Sequence, residues 1–284
     1  MKKAASNEMR AYLRSILYLT LNCGYRGKIT QFQAHGTITI YDKVAIQVLD
    51  RRIGINPVQP RLAVPREDAY PPFSSADDGS YTERLAHILA DAALEGVDTV
   101  IDLHGGGSWC VNAFVFEMAG GRELSHCFAA PFSMKAPDRA LSLTGYARSL
   151  GKMVAAVEMG GRSQFEAGWA EKIADGLLRA LCLVGVVNPE RTSASGVAPL
   201  PVADSTVLRP SQGGIFVPAM TADLIGTLVA GGTLLGQMLH PTTYALLEEF
   251  RAPYKRTALL LLRPFMAQLE AGARTYVVAR PAEH

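Results

Sequence analysis

Val97-Asp-Thr-Val-Ile101-Asp102-Leu-His104-Gly-Gly-Gly107 is the stretch on which the reading of this chain turns. A short β-branched run bounded by turn residues has the character of a buried parallel strand, which is covered on both faces and therefore need not alternate. The three glycines end it abruptly and leave His104 at its carboxyl end. The same grammar returns downstream. A helix is predicted from Asp138 to Leu150 and a strand from Met153 to Val157, followed by Glu158-Met-Gly-Gly161 and a long helix from about Phe165 to Leu183. Helix, strand, polar residue and glycines thus occur twice, which predicts an α/β domain. In open α/β sheets ligands lie outside the carboxyl ends of the strands, so His104 and Glu158 could share one crevice.

Upstream of this stretch, Ser80-Tyr-Thr-Glu83 forms a capping box, in which hydroxyl and carboxylate satisfy the free amides of a helix start. Leu85, Ile88, Leu89 and Ala92 follow at helical spacing. Residues 1–79 are weakly patterned. They hold a short helical segment (Glu8 to Leu19), a β-like alternation (Thr37 to Val48) and a proline-rich stretch (Asn56 to Phe73). Downstream of Asn188-Pro189, a Ser/Thr/Pro/Ala stretch to about Asp204 reads as a linker. Val229-Ala-Gly-Gly-Thr-Leu-Leu235 and Leu269-Glu-Ala-Gly-Ala-Arg-Thr-Tyr-Val277 then look like two versions of one strand-turn-strand unit. Three parts are expected: a poorly patterned N-terminal part (1–79), an α/β hydrolase core (80–190) and a small β-barrel or sandwich domain of the biotinyl-carrier shape (204–284).

Composition narrows the function classes. Of 284 residues 49% are hydrophobic, which suffices for a sizeable core, and 19% are charged with a formal balance of +2. No basic excess calls for nucleic acid, so a small-molecule substrate is the expected partner, with a homo-oligomer also admitted. No uninterrupted apolar run is long enough to cross a bilayer, and the segment Ile16 to Leu21, preceded by Arg10 and Arg14, falls short of a secretory signal. Cys23, Cys110, Cys127 and Cys182 form no C-x-x-C pair, which argues against a zinc ribbon or a disulfide framework and suits a reducing cytoplasm.

Two residues carry candidate chemistry. At a strand end, the His104 imidazole can offer a neutral nitrogen to zinc, while the glycines keep side chains out of the approach path. Strand alternation turns Asp102 to the same face, either as a partner that orients the imidazole or as a buried, hydrogen-bonded carboxylate. A carboxylate ending an apolar strand, as Glu158 does, is partly desolvated and suited to take up and return a proton. It could equally sit in an ion pair with Arg162 or Lys152. Arg162 could instead grip a substrate carboxylate with its planar fork. His87, His126 and His240 read as packing or turn residues, Cys110 has no neighbouring base in sequence, and Lys255 in Pro253-Tyr-Lys-Arg lacks the methionines of a carrier lysine.

Asp102-Leu-His104-Gly-Gly-Gly107 paired with Glu158-Met-Gly-Gly161, after the Gly79-Ser-Tyr-Thr-Glu-Arg-Leu-Ala-His87 helix and before a β domain with Arg-Ala-Pro and Glu-Ala-Gly turns, resembles the succinylglutamate desuccinylase/aspartoacylase family. Its closest-looking branch is the N-acetyl-diaminobutyrate deacetylase-like deacylases, and the resemblance runs from about Asp78 to Arg280. It implies a zinc-carboxypeptidase-like α/β/α domain followed by the small β domain, and hydrolysis of N-acyl amino acids with one zinc ion held by two histidines and a glutamate. By that resemblance His104 is a zinc ligand and Glu158 the general base, the zinc lowering the pKa of its water and polarising the amide carbonyl. The family's upstream His-Gly-x-Glu motif is met only by Ala34-His35-Gly36-Thr37-Ile38, where His35 fits as a ligand and Ile38 cannot bind metal. The family's Asn-Arg pair is absent where Ala69-Tyr-Pro-Pro-Phe73 stands. This departure leaves open a second reading, a relative with an incomplete metal site that serves as a binding or assembly protein.

Overall fold

The computed structural model describes residues 94, 96–107, 109–136, 142–161, 166–186 and 197–283, together with the backbone of short strands at 32–33, 37–41 and 44–48. The predicted helices at 8–19 and 80–92 and the proline-rich 56–73 lie outside the described residues. Within them the chain is mixed α/β with strands dominating.

Three short strands come first, β1 (Phe32–Gln33), β2 (Thr37–Tyr41) and β3 (Val44–Val48). β2 and β3 pair antiparallel, with Tyr41 opposite Val44, so the β-like alternation is a hairpin. β3 then lies parallel to β4 (Thr99–His104), and β4 lies parallel to β7 (Met153–Gly161). Between these two in sequence come β5 (Val111–Glu117), the short helix α1 (Arg122–His126), β6 (Phe132–Lys135) and α2 (Leu143–Ser149). α3 (Glu166–Leu183) follows β7. α2 starts later than the predicted Asp138 because the Ser142 hydroxyl accepts a hydrogen bond from the Gly145 amide, the signature of a helix N-cap.

Alternation along β4 and β7 sorts their side chains onto two faces. Ile101, Leu103, Ala155, Val157 and Met159 pack with Leu124 of α1 and Ile173, Leu177, Leu178 and Leu181 of α3. Val100, Val154 and Ala156 pack the other way, with Ala147 of α2. Helices therefore cover both faces of this part of the sheet.

The C-terminal strands continue the same sheet. β8 (Leu200–Leu208) opens inside the stretch expected to be linker, because Leu200 and Val202 pair with Phe132 and Met134 of β6 and bury against them. β15 (Tyr276–Pro281) pairs with β8, β13 (Arg256–Leu262) with β15, and β13 returns to β5 through Leu261 opposite Asn112 and Leu262 opposite Val111. The ring β5, β6, β8, β15, β13 is thereby closed into a five-stranded barrel. Its lumen is filled by Phe114, Phe132, Val202, Ala258, Leu260 and Ala279, with Phe116 and Val277 at the margins. A barrel this narrow is a packed core and not a channel.

β9 (Gly214–Pro218), β11 (Leu234–Leu239), β12 (Leu246–Arg251) and β14 (Ala267–Leu269) form a second sheet in the order β12-β11-β9-β14. Its Phe216, Leu235, Met238 and Phe250 pack on the outside of the barrel against Leu259, Leu262, Tyr276 and Val278. Phe216 meets Tyr276 edge to face at 5.6 Å, and the Tyr276 hydroxyl donates to the Leu235 carbonyl at 2.8 Å. The two look-alike segments are the corners of this sandwich. One carries the chain from β10 (Leu228–Ala230) in the large sheet to β11 in the small one, and the other from β14 back to β15. Gly232 at φ +80° and Gly272 at φ +75° supply the left-handed backbone at these turns. Among the described residues no helix is long and apolar enough to cross a membrane.

Candidate functional site

The two glycine motifs meet directly. β4 and β7 run parallel with His104 opposite Glu158, and residues paired in this way present their side chains on the same face. β7 does not stop before Glu158, as the strand reading to Val157 expected. It runs on to Gly161, because Met159, Gly160 and Gly161 pair antiparallel with Ala113, Asn112 and Val111 of β5. Glu158 therefore lies within a three-strand ladder, part-buried, with β4 on one side and β5 on the other.

Close backbone contact explains the glycines. The Gly106 amide donates to the Gly160 carbonyl at 2.9 Å, and the Cys110 amide to the Gly106 carbonyl at 3.3 Å. A Cβ on Gly106 would stand 1.9 Å from the Cys110 carbonyl oxygen, and one on Gly161 2.1 Å from the same atom. Gly161 is also at φ +149°. The motifs thus clasp one peptide group from two sides, a contact open only to residues without a side chain.

On this polar face each candidate residue has a partner. Asp102, 6% exposed, reaches His104 Nε2 with Oδ2 at 2.9 Å, which fixes the plane of the ring. Asp102 Oδ1 is buried and finds no hydrogen-bond partner among the described residues. Glu158 Oε2 accepts a hydrogen bond from Asn112 Nδ2 at 2.5 Å, and Asn112 is 4% exposed. The Cys110 thiol contacts both the Gly106 carbonyl, at 3.3 Å, and Asn112 Oδ1, at 3.5 Å.

Sequence reasoning missed Asn112. Its signal is an amide in the otherwise apolar run Val111 to Phe116, a position that is costly unless a partner awaits. It also missed Arg263, which follows β13 and holds its guanidinium 4.6 Å from the centre of the Trp109 ring, just beyond the glycine turn. Burial holds the Arg263 pKa below the usual arginine range.

His35 and Arg162, the other two predicted site residues, lie outside the described residues. Among the described residues no group of three or more His, Cys, Asp or Glu side chains is arranged to hold a metal ion. Of a zinc donor set they offer His104, oriented by Asp102 and flanked by Glu158, so they fit part of such a site. His126 and His240 serve elsewhere. His126 Nε2 pairs with Glu117 Oε1 at 2.9 Å, and His240 Nδ1 accepts the amides of Thr242 and Thr243 at 3.3 and 3.2 Å.

No protein-family model matches this chain, and no curated protein matches it in sequence. Solved structures do. A succinylglutamate desuccinylase from Silicibacter sp. superposes with a TM-score of 0.60 at 19% identity, over 75% of this chain and 67% of its own. The ectoine utilization protein EutE from Ruegeria pomeroyi, in a product-bound structure, gives 0.59 at 21% identity, over 75% and 66%. A succinylglutamate desuccinylase/aspartoacylase from Rhodobacter sphaeroides gives 0.60 at 19% identity, over 76% and 68%. The match spans about two thirds of these chains' own length. Over about three quarters of its length, then, the chain has the fold seen in proteins of the succinylglutamate desuccinylase/aspartoacylase family.

Proposed function

We propose that the protein is a deacylase that hydrolyses the amide bond of an N-acyl amino acid or a similar small amide, in a zinc-carboxypeptidase-like arrangement. The observation that carries this reading is the in-register pairing of His104 and Glu158 on one face of adjacent parallel strands, at the carboxyl end of β4. The names of the structurally similar proteins, desuccinylase and aspartoacylase, point to the same reaction class.

Glu158 is the group that moves the proton. Its carboxylate takes a proton from the attacking water as the new C–O bond forms, then gives it to the amine nitrogen as the C–N bond breaks, leaving a free carboxylate and a free amine. Asp102 holds the His104 ring in one orientation. His104 and His35 would hold a zinc ion, whose contribution when bound is to acidify the water and polarise the substrate carbonyl. Arg162 would take the substrate's carboxylate with its two-pronged fork.

The test incubates the full chain with N-acetyl and N-succinyl derivatives of aspartate and glutamate and follows release of the free amine. Glu158→Gln is expected to lower turnover about 10²- to 10⁴-fold with bound metal unchanged. His104→Ala is expected to remove most of the metal measured in the purified protein. No amine release from any derivative by metal-loaded wild type, or metal content indifferent to His104→Ala, counts against the reading.

A further inference from the structure

We infer that Asn112 is the positioning residue of the candidate base, with the Cys110 thiol in contact with the far end of its amide. This rests on the assignment of Glu158 in the proposed reaction, and it adds a residue from a strand that neither glycine motif contains.

Chemistry and geometry agree on the direction of each bond. An ionised carboxylate only accepts hydrogen bonds, so the amide group turned to Glu158 Oε2 must be the NH2 end, as found at 2.5 Å. The carbonyl end then faces Cys110, whose single S–H has both Asn112 Oδ1, at 3.5 Å, and the Gly106 carbonyl, at 3.3 Å, within reach. Turning the amide over would set its carbonyl against the carboxylate. The Cys110 contact is weak, yet Cys110 is held by more than its side chain, because Gly106 and Gly161 both close on its carbonyl. The thiol is therefore in a fixed place.

The pairing of strands explains why a residue on β5 does this. Asn112 stands opposite Gly160, one diagonal step from Glu158, a separation its amide can bridge. Phe114 stands directly opposite Glu158 and packs into the barrel. With Oε2 occupied by Asn112, Oε1 is the oxygen assigned to the proton of the attacking water. The geometry assigns Asn112 one effect: it confines the Glu158 carboxylate to one rotamer beside His104.

Two measurements test this, one needing no turnover. In a 15N spectrum of wild type, the Asn112 side-chain NH2, assigned by its loss in Asn112→Leu, should show one strongly downfield proton. Glu158→Gln should return that proton to the range of the other asparagine amides. If it is unmoved, the contact is absent and the inference fails. In the deacylation assay with the N-acetyl and N-succinyl derivatives, Asn112→Leu should lower kcat about 10- to 100-fold with KM within about twofold. Cys110→Ala should lower kcat by a smaller factor, and Cys110→Ser, which restores a hydroxyl donor, should recover it. Should Asn112→Leu not fold, Asn112→Ser supplies the assignment, and the Cys110 pair and the spectrum still decide. Wild-type kcat retained in Asn112→Leu, or in Cys110→Ala with the amide signal unmoved, overturns the inference and leaves the deacylase reading intact. The downfield amide in a wild type that hydrolyses none of the derivatives overturns the deacylase reading and upholds the contact between Asn112 and Glu158.

Discussion

Asn112 and Phe114 are two residues apart on one face of β5, and they belong to different chemistries. Asn112 turns to Glu158 on β7, in the polar end that also holds Asp102 and His104. Phe114, with Phe116, turns into the lumen of the five-stranded barrel, among Phe132, Val202, Ala258, Leu260 and Ala279. What separates them is closure. Where β8, β15 and β13 curve round to meet β5, side chains of that face must fill a dry interior. Beside β4 and β7 no strand among the described residues curves over, and polar groups persist there by pairing with one another.

The contrast can be broken most forcefully from the apolar side. Phe132→Ala, at 2% exposure in the lumen, is expected to cost about 3–5 kcal/mol of stability, read from denaturant midpoints, while turnover per folded molecule stays near wild type. Loss of activity without loss of stability would show that the lumen and the polar end are one unit. Next comes Gly161→Ala, which would push a methyl group into the Cys110 carbonyl and displace β7 from β5. It is expected to cost about 2 kcal/mol and, unlike the lumen change, to lower turnover in the folded fraction as well.

The smallest effect is expected at Glu117, at the far end of β5. Burial raises its pKa, but the hydrogen bond with His126 together with the Arg122 charge outweighs this and holds the carboxyl below the ordinary range. A carboxyl lowered on folding adds stability above its unfolded pKa, and that contribution is lost as pH falls through the folded value. Glu117→Gln should therefore cost about 0.5 kcal/mol at neutral pH, given the partial exposure of the pair, and should flatten the acid side of the stability profile. Turnover should not change, since this end of the strand lies away from Glu158.

These differences mark what could be read in advance. The sequence grammar of β4 and β7 was legible because strand, polar residue and glycines are contiguous, and the structure sets both motifs on adjacent strands. The helix Glu166–Leu183 and the β character of 37–48 were legible from the sequence, though not that the latter is a hairpin. β5 and β6 went unread because their side chains are buried by strands far off in sequence, so no local period announces them. Closure of the barrel was hidden for the same reason, since Val111 meets Leu262. Asn112 was hidden because its meaning depends on Glu158 across the ladder. The Val229 and Leu269 repeats were seen as a unit, but their task of carrying the chain between two sheets belongs to the assembled sandwich.

The seam between β5 and β13 joins residues about 150 positions apart, and it has a consequence for how the protein comes to exist. During synthesis, β5 and β6 emerge long before β13 and β15, and their aromatic side chains face water until those two strands leave the ribosome. Folding of this half must wait for β13 and β15, which makes the nascent chain slow to mature and dependent on shelter from aggregation in the interval.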